Sequence, residues 1–251
     1  MLVKNKSAID KMRMAGQHLA HVMDEISGFI VPGVSTFELD ALVEQKVVSR
    51  GLKPVCKGYA GYRHATCISV NDVIVHGVPS QEIILKFGDF VKIDVTASYR
   101  SYCADVARYF FVGQAGDVAC RMAAVVQRAL DAAVTVAVPG NKISDISACI
   151  QEIVEKEGFS VIRTFSGHGI GKSLHEEPDI PNFGKPGMGM VLQEGMTLAI
   201  EPMIAEHGYE VTVMKDGWTA KTADGGLAAH VEDTIVVRHG GAEVLTRLQL
   251  N

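Results

Sequence analysis

The stretch KIDVTASYRSYCADVARYFFVG, residues 92–113, predicts two β-strands joined by a hairpin, and each strand carries one aspartate among apolar neighbours. Apolar and polar residues alternate from residue 91 to residue 96, which is the period of a strand. In an unbulged hairpin that turns within residues 98–102, Asp94 and Asp105 face each other directly, with Cβ atoms roughly 5 Å apart. Two like charges so placed destabilise a sheet unless one is protonated or both share a cation.

Two acids on solvated strand faces are the commoner arrangement, but a repeat in the chain argues against it here. Segments 31–51 and 138–158 each predict a helix that follows Pro-Gly and a polar cap (Ser35 or Thr36, then Ser144) and ends at a glycine. The same spacing of 107 residues relates GDFVKID, residues 88–94, to GMTLAIE, residues 195–201. Asp94 therefore corresponds to Glu201. We expect two similar halves that share a sheet, with both acids pointing into a site between them.

Composition excludes several classes of protein. The chain has 251 residues, 47% of them apolar, and a net charge of −5, which argues against a general nucleic-acid binder. The N-terminal segment has basic residues without an apolar stretch behind them, and no apolar stretch predicts a membrane span. The five cysteines are odd in number and form no CxxC pair, so reduced thiols and a cytoplasmic location are expected.

Three further segments supply candidate site residues. SGHGIGKSLHEEP, residues 166–178, places His168 between glycines and His175 before two glutamates. NDVIVHGVP, residues 71–79, ends an apolar strand at His76, and AAHVEDTIVVR, residues 228–238, brings Glu232 into an apolar strand. A single histidine is more often packed in a core or exposed than bound to a ligand. Four carboxylates and one imidazole, however, suit two hard or borderline divalent ions, as in a metallohydrolase: Asp94, Asp105, His168, Glu201 and Glu232.

These motifs, together with GMTLAIEPM, stand in the order and at the spacing of a known family. Over about residues 13–237 the chain resembles type I methionine aminopeptidase of the bacterial type, which shares the pita-bread fold with prolidase, aminopeptidase P and creatinase. The resemblance implies an α/β (α+β) architecture of two pseudo-twofold-related halves. They share a mainly antiparallel sheet, with helices outside and a dinuclear metal site at the centre. One catalytic domain over residues 1–251 is expected, with halves at about residues 10–113 and 118–238.

The resemblance also implies an activity and the residues that perform it. It implies removal of the initiator methionine from new polypeptides when the second residue is small. A hydroxide bridging two divalent ions (Co, Mn, Fe or Zn), held by the five residues named above, would attack the scissile carbonyl, with Glu201 as proton shuttle. His175 would stabilise the oxyanion and His76 would bind the substrate amide. The methionine side chain would be received by a set of sulfur, aromatic and apolar residues: Cys56, Tyr59, Tyr62, Cys67, Leu174 and Trp218.

The expected partners follow from the same resemblance. They are nascent polypeptide N-termini at the ribosome, with no direct reading of nucleic acid, no membrane and a monomeric chain. A monovalent cation is expected near Asn71 and Val73.

The chain departs from the family at three positions. Leu174 replaces a common Phe, Val106 a usual Thr and His230 a usual Gln. A smaller residue at 174 would relax selection of the first substrate residue, unless neighbouring side chains fill the space.

Two other readings remain open from the sequence. One is a peptidase of the Xaa-Pro dipeptidase or aminopeptidase P kind, and the other is a catalytically silent pita-bread binding protein. Enzymes of the first kind usually carry an additional N-terminal domain, of which the chain has no trace. Proteins of the second kind drop metal ligands, and all five are present here.

Overall fold

The computed structural model describes residues 2–248, in which the long helices form two packed pairs. The helices are α1 (Lys6–Ile26), α2 (Thr36–Ser49), α3 (Asp117–Val136) and α4 (Ile143–Lys156), with short 3₁₀ helices at Ser27–Phe29 and Tyr59–Gly61. Helix α1 buries Met12, Ala15 and Leu19, which recur at the helical spacing of three to four residues. No helix within residues 2–248 is long and apolar enough to cross a membrane.

The strands form one large sheet and two small ones. They are β1 (Lys53–Pro54), β2 (Cys67–Val70), β3 (Val73–Val75), β4 (Phe90–Tyr99), β5 (Tyr102–Phe111), β6 (Ser160–Val161), β7 (Ser166–Gly169), β8 (Glu176–Pro181), β9 (Thr197–Ile200), β10 (Met203–Ala205), β11 (Val211–Val213), β12 (Ala220–Thr222), β13 (Ala228–His230), β14 (Glu232–Val236) and β15 (Glu243–Val244). The large sheet has the order β1-β4-β5-β14-β9-β7-β8, with β2 on β4 and β15 on β14, and its strand pairs are antiparallel.

Two apolar cores lie between the helix pairs and the large sheet. The first joins α1 and α2 to β4 and β5, and the second joins α3 and α4 to strands that include β9 and β14. Burial of this apolar surface is what holds the strands in place. The arrangement agrees with the expected fold class, in which helices cover the outside of a shared antiparallel sheet.

The predicted repeat recurs in the hydrogen bonds at the same spacing of 107 residues. The Gly33 amide donates to the Leu85 carbonyl at 2.8 Å, and the Gly140 amide donates to the Leu192 carbonyl at 3.0 Å. Helices α2 and α4 have the same length and equivalent bounds. Equivalent loops therefore lead into α2 and α4, which lie beside the shared sheet. The division of residues 1–251 into halves at 10–113 and 118–238 stays a prediction.

One predicted helix start is corrected. Helix α4 begins at Ile143, and its cap is Lys142 rather than Ser144. The amide of Lys142 donates to the carboxylate of Asp145 at 2.7 Å, as the amide of Ser35 donates to Glu38 at the start of α2. In both helices an acid in the first turn accepts from the backbone amide of the cap residue, which is one of the two hydrogen bonds of a capping box.

The predicted register of the β4–β5 hairpin is wrong by two residues. Asp94 lies opposite Ala107, and Asp105 lies opposite Thr96. The turn is formed by Arg100 and Ser101, both with positive φ, as a two-residue hairpin requires. Tyr99 stays in the strand because an aromatic side chain favours extended backbone over the left-handed turn position. A shift of two residues preserves the faces of a strand, so the two acids still share one face and are diagonal neighbours.

The close approach of α1 to the C-terminal segment yields a stability prediction. A Cβ atom at Gly16 would collide with the carbonyl oxygen of Leu245, whereas one at Gly28 meets open space. Because the colliding atom belongs to the backbone, we expect a cost at the upper end of the about 1–3 kcal/mol of overpacking, which exceeds the roughly 1 kcal/mol that alanine gains over glycine in a helix. We expect Gly16→Ala to lower Tm by about 3 °C or more and Gly28→Ala to leave it unchanged, as measured by calorimetry. A rise in Tm for Gly16→Ala would contradict this contact.

Candidate active site

Three adjacent strands bring three acids onto one face of the large sheet. Asp94 in β4 and Glu232 in β14 both lie opposite Ala107, which occupies the strand between them. Asp105 precedes Ala107 by two residues and so points to the same side. The methyl group of Ala107 leaves a space among the three carboxylates. The backbone amide and carbonyl of Asp105 are both bound to the hydroxyl of Thr234, which holds β5 against β14.

His168 and Glu201 enter this space from β7 and from the end of β9. Nδ1 of His168 lies 2.9 Å from the carbonyl of Gly169, and because a carbonyl only accepts, Nδ1 carries the proton. The lone pair of Nε2 therefore faces the acids, and this atom lies 3.6 Å from a carboxylate oxygen of Glu201. A Cβ on Gly169 would collide with the Glu177 carbonyl, which explains why glycine follows this histidine.

The donor set fits divalent metal ions. Ligand atoms of Asp105, His168 and Glu232 all lie within 4.8 Å of one another. Asp94 Oδ1 and Glu232 Oε1 are buried and have no hydrogen-bond partner among the described residues. An unpartnered buried carboxylate oxygen is costly, and a bound cation satisfies it. Three of the five expected ligands thus meet at ligand distance, and the other two, Asp94 and Glu201, face the same space.

The electrostatics of this space also favour a cation. Burial raises the pKa of Asp94 well above its usual value, and the charges of Asp105 and Glu201 add to the rise. Burial likewise raises the pKa of Asp105, Glu201 and Glu232. Burial lowers the pKa of His168 to about 4, so its imidazole is neutral and able to coordinate a metal at neutral pH.

A cavity of about 310 Å³ opens in front of the acids. Beside the acids its lining is less polar. Cys67 lies opposite Asp94 on the neighbouring strand β2, and Cys56, Tyr62 and Cys67 form a buried cluster against which Trp218 packs. Burial raises the pKa of both thiols, which are therefore neutral. Every site residue predicted from the sequence lines this one cavity: Cys56, Tyr59, Tyr62, Cys67, His76, Asp94, Asp105, His168, Leu174, His175, Glu201, Trp218 and Glu232.

Two further histidines, His76 and His175, line the cavity. Nδ1 of His175 lies 2.7 Å from the hydroxyl of Tyr59, and its ring meets the ring of His168 edge to face at 4.4 Å. Burial lowers the pKa of His175, and burial with the nearby His230 lowers that of His76 to about 4. Both rings are therefore neutral hydrogen-bonding groups at neutral pH.

Sequence reasoning missed several residues of the cavity. Thr96 lies opposite Asp105, Phe165 packs against His76 at 5.1 Å, and Asp179 lies opposite His168. Asp179 also opposes the lowering of the pKa of His175. The strand pattern could have indicated Thr96, because it shares a face with Asp94. Asp179 reaches the cavity only through the pairing of β8 with β7, and Phe165, just before β7, only through the tertiary fold.

Comparison with known proteins identifies the family of this chain. Residues 10–239 match metallopeptidase family M24. The methionine aminopeptidase of Escherichia coli strain K12 is 42% identical over 245 residues, which cover 97% of this chain and 93% of that protein. The crystal structure of methionine aminopeptidase from Thermotoga maritima superimposes with a TM-score of 0.96 at 45% identity, covering 98% of this chain and all of that one.

Prolidases share the fold at a greater distance. Prolidase from Pyrococcus furiosus superimposes with a TM-score of 0.80 at 25% identity, and the match covers 99% of this chain but 66% of that one. Identity, coverage and superposition all favour the methionine aminopeptidases over the prolidases. The chain therefore belongs to metallopeptidase family M24 and, within it, to the methionine aminopeptidases.

Proposed function

We propose that this chain removes the N-terminal methionine from polypeptides, with its specificity directed to substrates whose second residue is small. The observation that carries the proposal is a single cavity lined both by carboxylates and by thiols and aromatic rings. The carboxylates would hold metal ions, and sulfur and aromatic faces suit the thioether of methionine. The methionine aminopeptidases of Escherichia coli and Thermotoga maritima match nearly the whole chain.

Five residues would hold two divalent ions: Asp94, Asp105, His168, Glu201 and Glu232. Four carboxylates offset the charge of two dications, which removes the cost of burying acids together. The oxygen-rich set accepts Mn, Fe, Co or Zn. When bound, such ions supply Lewis acidity, which polarises a carbonyl and acidifies a water.

The remaining roles fall to protein groups. The Glu201 side chain is 13% exposed at the cavity, and we assign it the transfer of a proton to the leaving amine. His175 would donate from Nε2 to the oxyanion, because a hydrogen bond from the Tyr59 hydroxyl to Nδ1 leaves the imidazole proton on Nε2. His76, held edge to face against Phe165, would bind the substrate amide.

The cellular setting belongs to the same proposal. Nascent polypeptide N-termini are the substrates that fit a cavity of this size and lining, with the ribosome as their source. The five cysteines are free, and two of them line the cavity, as reduced thiols of a cytoplasmic protein would. We also propose that the chain acts as a monomer.

The activity is tested with defined peptides. We expect the metal-loaded protein to release methionine from Met-Ala-Ser, to leave Xaa-Pro dipeptides intact and to lose activity in chelator. Asp105→Asn should abolish nearly all turnover, whereas Asp24→Asn, an exposed acid of α1, should not change it. Cleavage of Xaa-Pro in preference to Met-Ala-Ser would favour the prolidase alternative. Tight metal binding without any cleavage would favour a binding protein.

The raised carboxyl pKa values lead to a prediction about metal and pH. Protons on Asp94, Glu201 and Glu232 stabilise the metal-free fold below the ordinary carboxyl pKa of about 4, and this is lost as pH rises through the raised values. In the fold His168 is already neutral at about pH 6, so no proton on its imidazole competes with metal above that pH. Metal must displace the carboxyl protons, so its affinity rises with pH.

We therefore expect added Mn²⁺ to raise Tm more at about pH 8 than at about pH 6, as followed by scanning fluorimetry. Glu232→Gln removes one of the titrating ligands and should reduce the shift at both pH values. An equal or larger shift at pH 6 would show that these carboxyl groups do not bind the metal.

The contact between Tyr59 and His175 leads to a prediction about turnover. If the hydroxyl of Tyr59 holds the proton of His175 on Nε2, Tyr59→Phe should lower kcat for Met-Ala-Ser about 10-fold with little change in KM. Tyr209→Phe, which alters an exposed tyrosine stacked on Arg163, is the matched control. An increase in KM alone would mean that Tyr59 only lines the pocket.

A further inference from the structure

Lys92 is a lysine in a place where lysines are rarely found. It is 1% exposed and lies near the start of β4 between Val91 and Ile93, both of which are fully buried. Taking an amino group out of water is costly unless fixed partners replace its hydration. Burial indeed lowers the pKa of Lys92 to about 7, and the charges of Asp72 and Asp89 oppose the drop. Fixed partners of this amino group must therefore offset the cost of burying it.

Within residues 2–248 the Lys92 amino group forms no direct ion pair. The carboxylate of Asp72 is taken by Lys221 at 2.6 Å, and that of Asp89 accepts from the side-chain amide of Asn71 at 2.9 Å. The amino group instead donates to the backbone carbonyl of Asn71 at 2.8 Å and lies 5.1 Å above the ring of Phe90. A carbonyl oxygen and an aromatic face are both groups that bind cations.

The carbonyl of Asn71 has no capacity left for a further positive group. Besides the Lys92 amino group it accepts the amide of Ala228 at 3.1 Å, and a carbonyl oxygen has two lone pairs. Asn71 itself is held rigidly, because its amide donates to the Phe90 carbonyl at 2.8 Å and its side-chain oxygen accepts from the Phe90 amide at 2.9 Å. The monovalent cation expected near Asn71 and Val73 therefore does not fit the residues present.

We propose that the amino group of Lys92 is a built-in substitute for that monovalent cation, so that this chain needs neither K⁺ nor Na⁺ at Asn71. The group is tethered to β4 and ties the turn between β2 and β3 to β4, while the amide of Ala228 brings β13 to the same carbonyl. An amine donates to a carbonyl in either protonation state, so the contact itself does not depend on its charge. Asp94 follows Lys92 by two residues on the same face, and His76 follows β3, so the contact braces two strands that carry cavity residues.

Melting temperature in different salts tests the proposal without a peptidase assay, so a failure of the proposed activity leaves it intact. The wild-type chain should have the same Tm in KCl, NaCl and choline chloride at equal ionic strength. Lys92→Ala exposes the Asn71 carbonyl and opens a space, so in choline chloride its Tm should fall by on the order of 5 °C. KCl or NaCl should then restore part of the loss in a saturable way.

Two further variants test whether the Lys92 amino group occupies a cation position or only fills space in the core. Lys92→Met fills the space without a donor, so its Tm should fall and no salt should restore it. Lys221→Ala removes a neighbouring lysine that is partly exposed and pairs with Asp72, and it should create no salt dependence. In crystals soaked in Rb⁺, an anomalous peak at Asn71 is expected for Lys92→Ala and not for the wild type.

Two results would overturn the proposal. One is a saturable rise in the Tm of the wild-type chain with K⁺ or Na⁺ but not with choline, or a Rb⁺ peak at its Asn71. The other is a folded Lys92→Ala variant that is indifferent to K⁺ and Na⁺. If Lys92→Ala does not fold in choline chloride, its refolding in KCl supports the proposal, and failure to fold in every salt contradicts it.

Discussion

Repulsion among four buried carboxylates is the constraint on which the rest of this structure depends. Asp94, Asp105, Glu201 and Glu232 share one space, where burial raises their pKa values and the charges of neighbouring acids add to the rise at Asp94, Glu201 and Glu232. A fold that brings such groups together without a cation is destabilised near neutral pH, because each carboxyl group must keep a proton that water would accept. The site is therefore incomplete as a purely protein structure, and its geometry is that of a cation-binding centre.

The scaffold opposes this repulsion with apolar burial on the other side of the sheet. Strands β4, β5, β9 and β14 each carry one acid within the strand or at its end, and two helix pairs pack against them through separate apolar cores. Because each acid sits on a strand whose opposite face is buried, the carboxylates cannot move apart without exposing a core. The same rigidity that makes the centre costly without metal prepares it to bind metal without rearrangement.

Around the acids, the interior keeps its other polar groups uncharged or fully engaged. His76, His168 and His230 have pKa values lowered to about 4 by burial, so they add no positive charge at neutral pH. The neutral rings remain free to coordinate or donate hydrogen bonds. Lys92 differs from these histidines, because its amino group donates to a backbone carbonyl and does not lie beside the acids. The positive charge that offsets the four carboxylates is therefore left to bound metal ions.

The sequence by itself determined the 107-residue repeat, because strand period and glycine spacing are local signals. Its specific motifs also gave, through the resemblance that they carry, the fold class and most of the residues that line the cavity. The register of the β4–β5 hairpin did not follow from the alternation of apolar and polar residues, because a shift of two residues leaves that alternation unchanged. The preference of Tyr99 for extended backbone is the local signal that distinguishes the two possible turns. Only the tertiary structure placed Ala107 between Asp94 and Glu232, joined Tyr59 to His175 and seated Lys92 on Asn71. Each of these is a contact between residues distant along the chain, and the energy of such contacts comes from the folded packing and not from any local pattern.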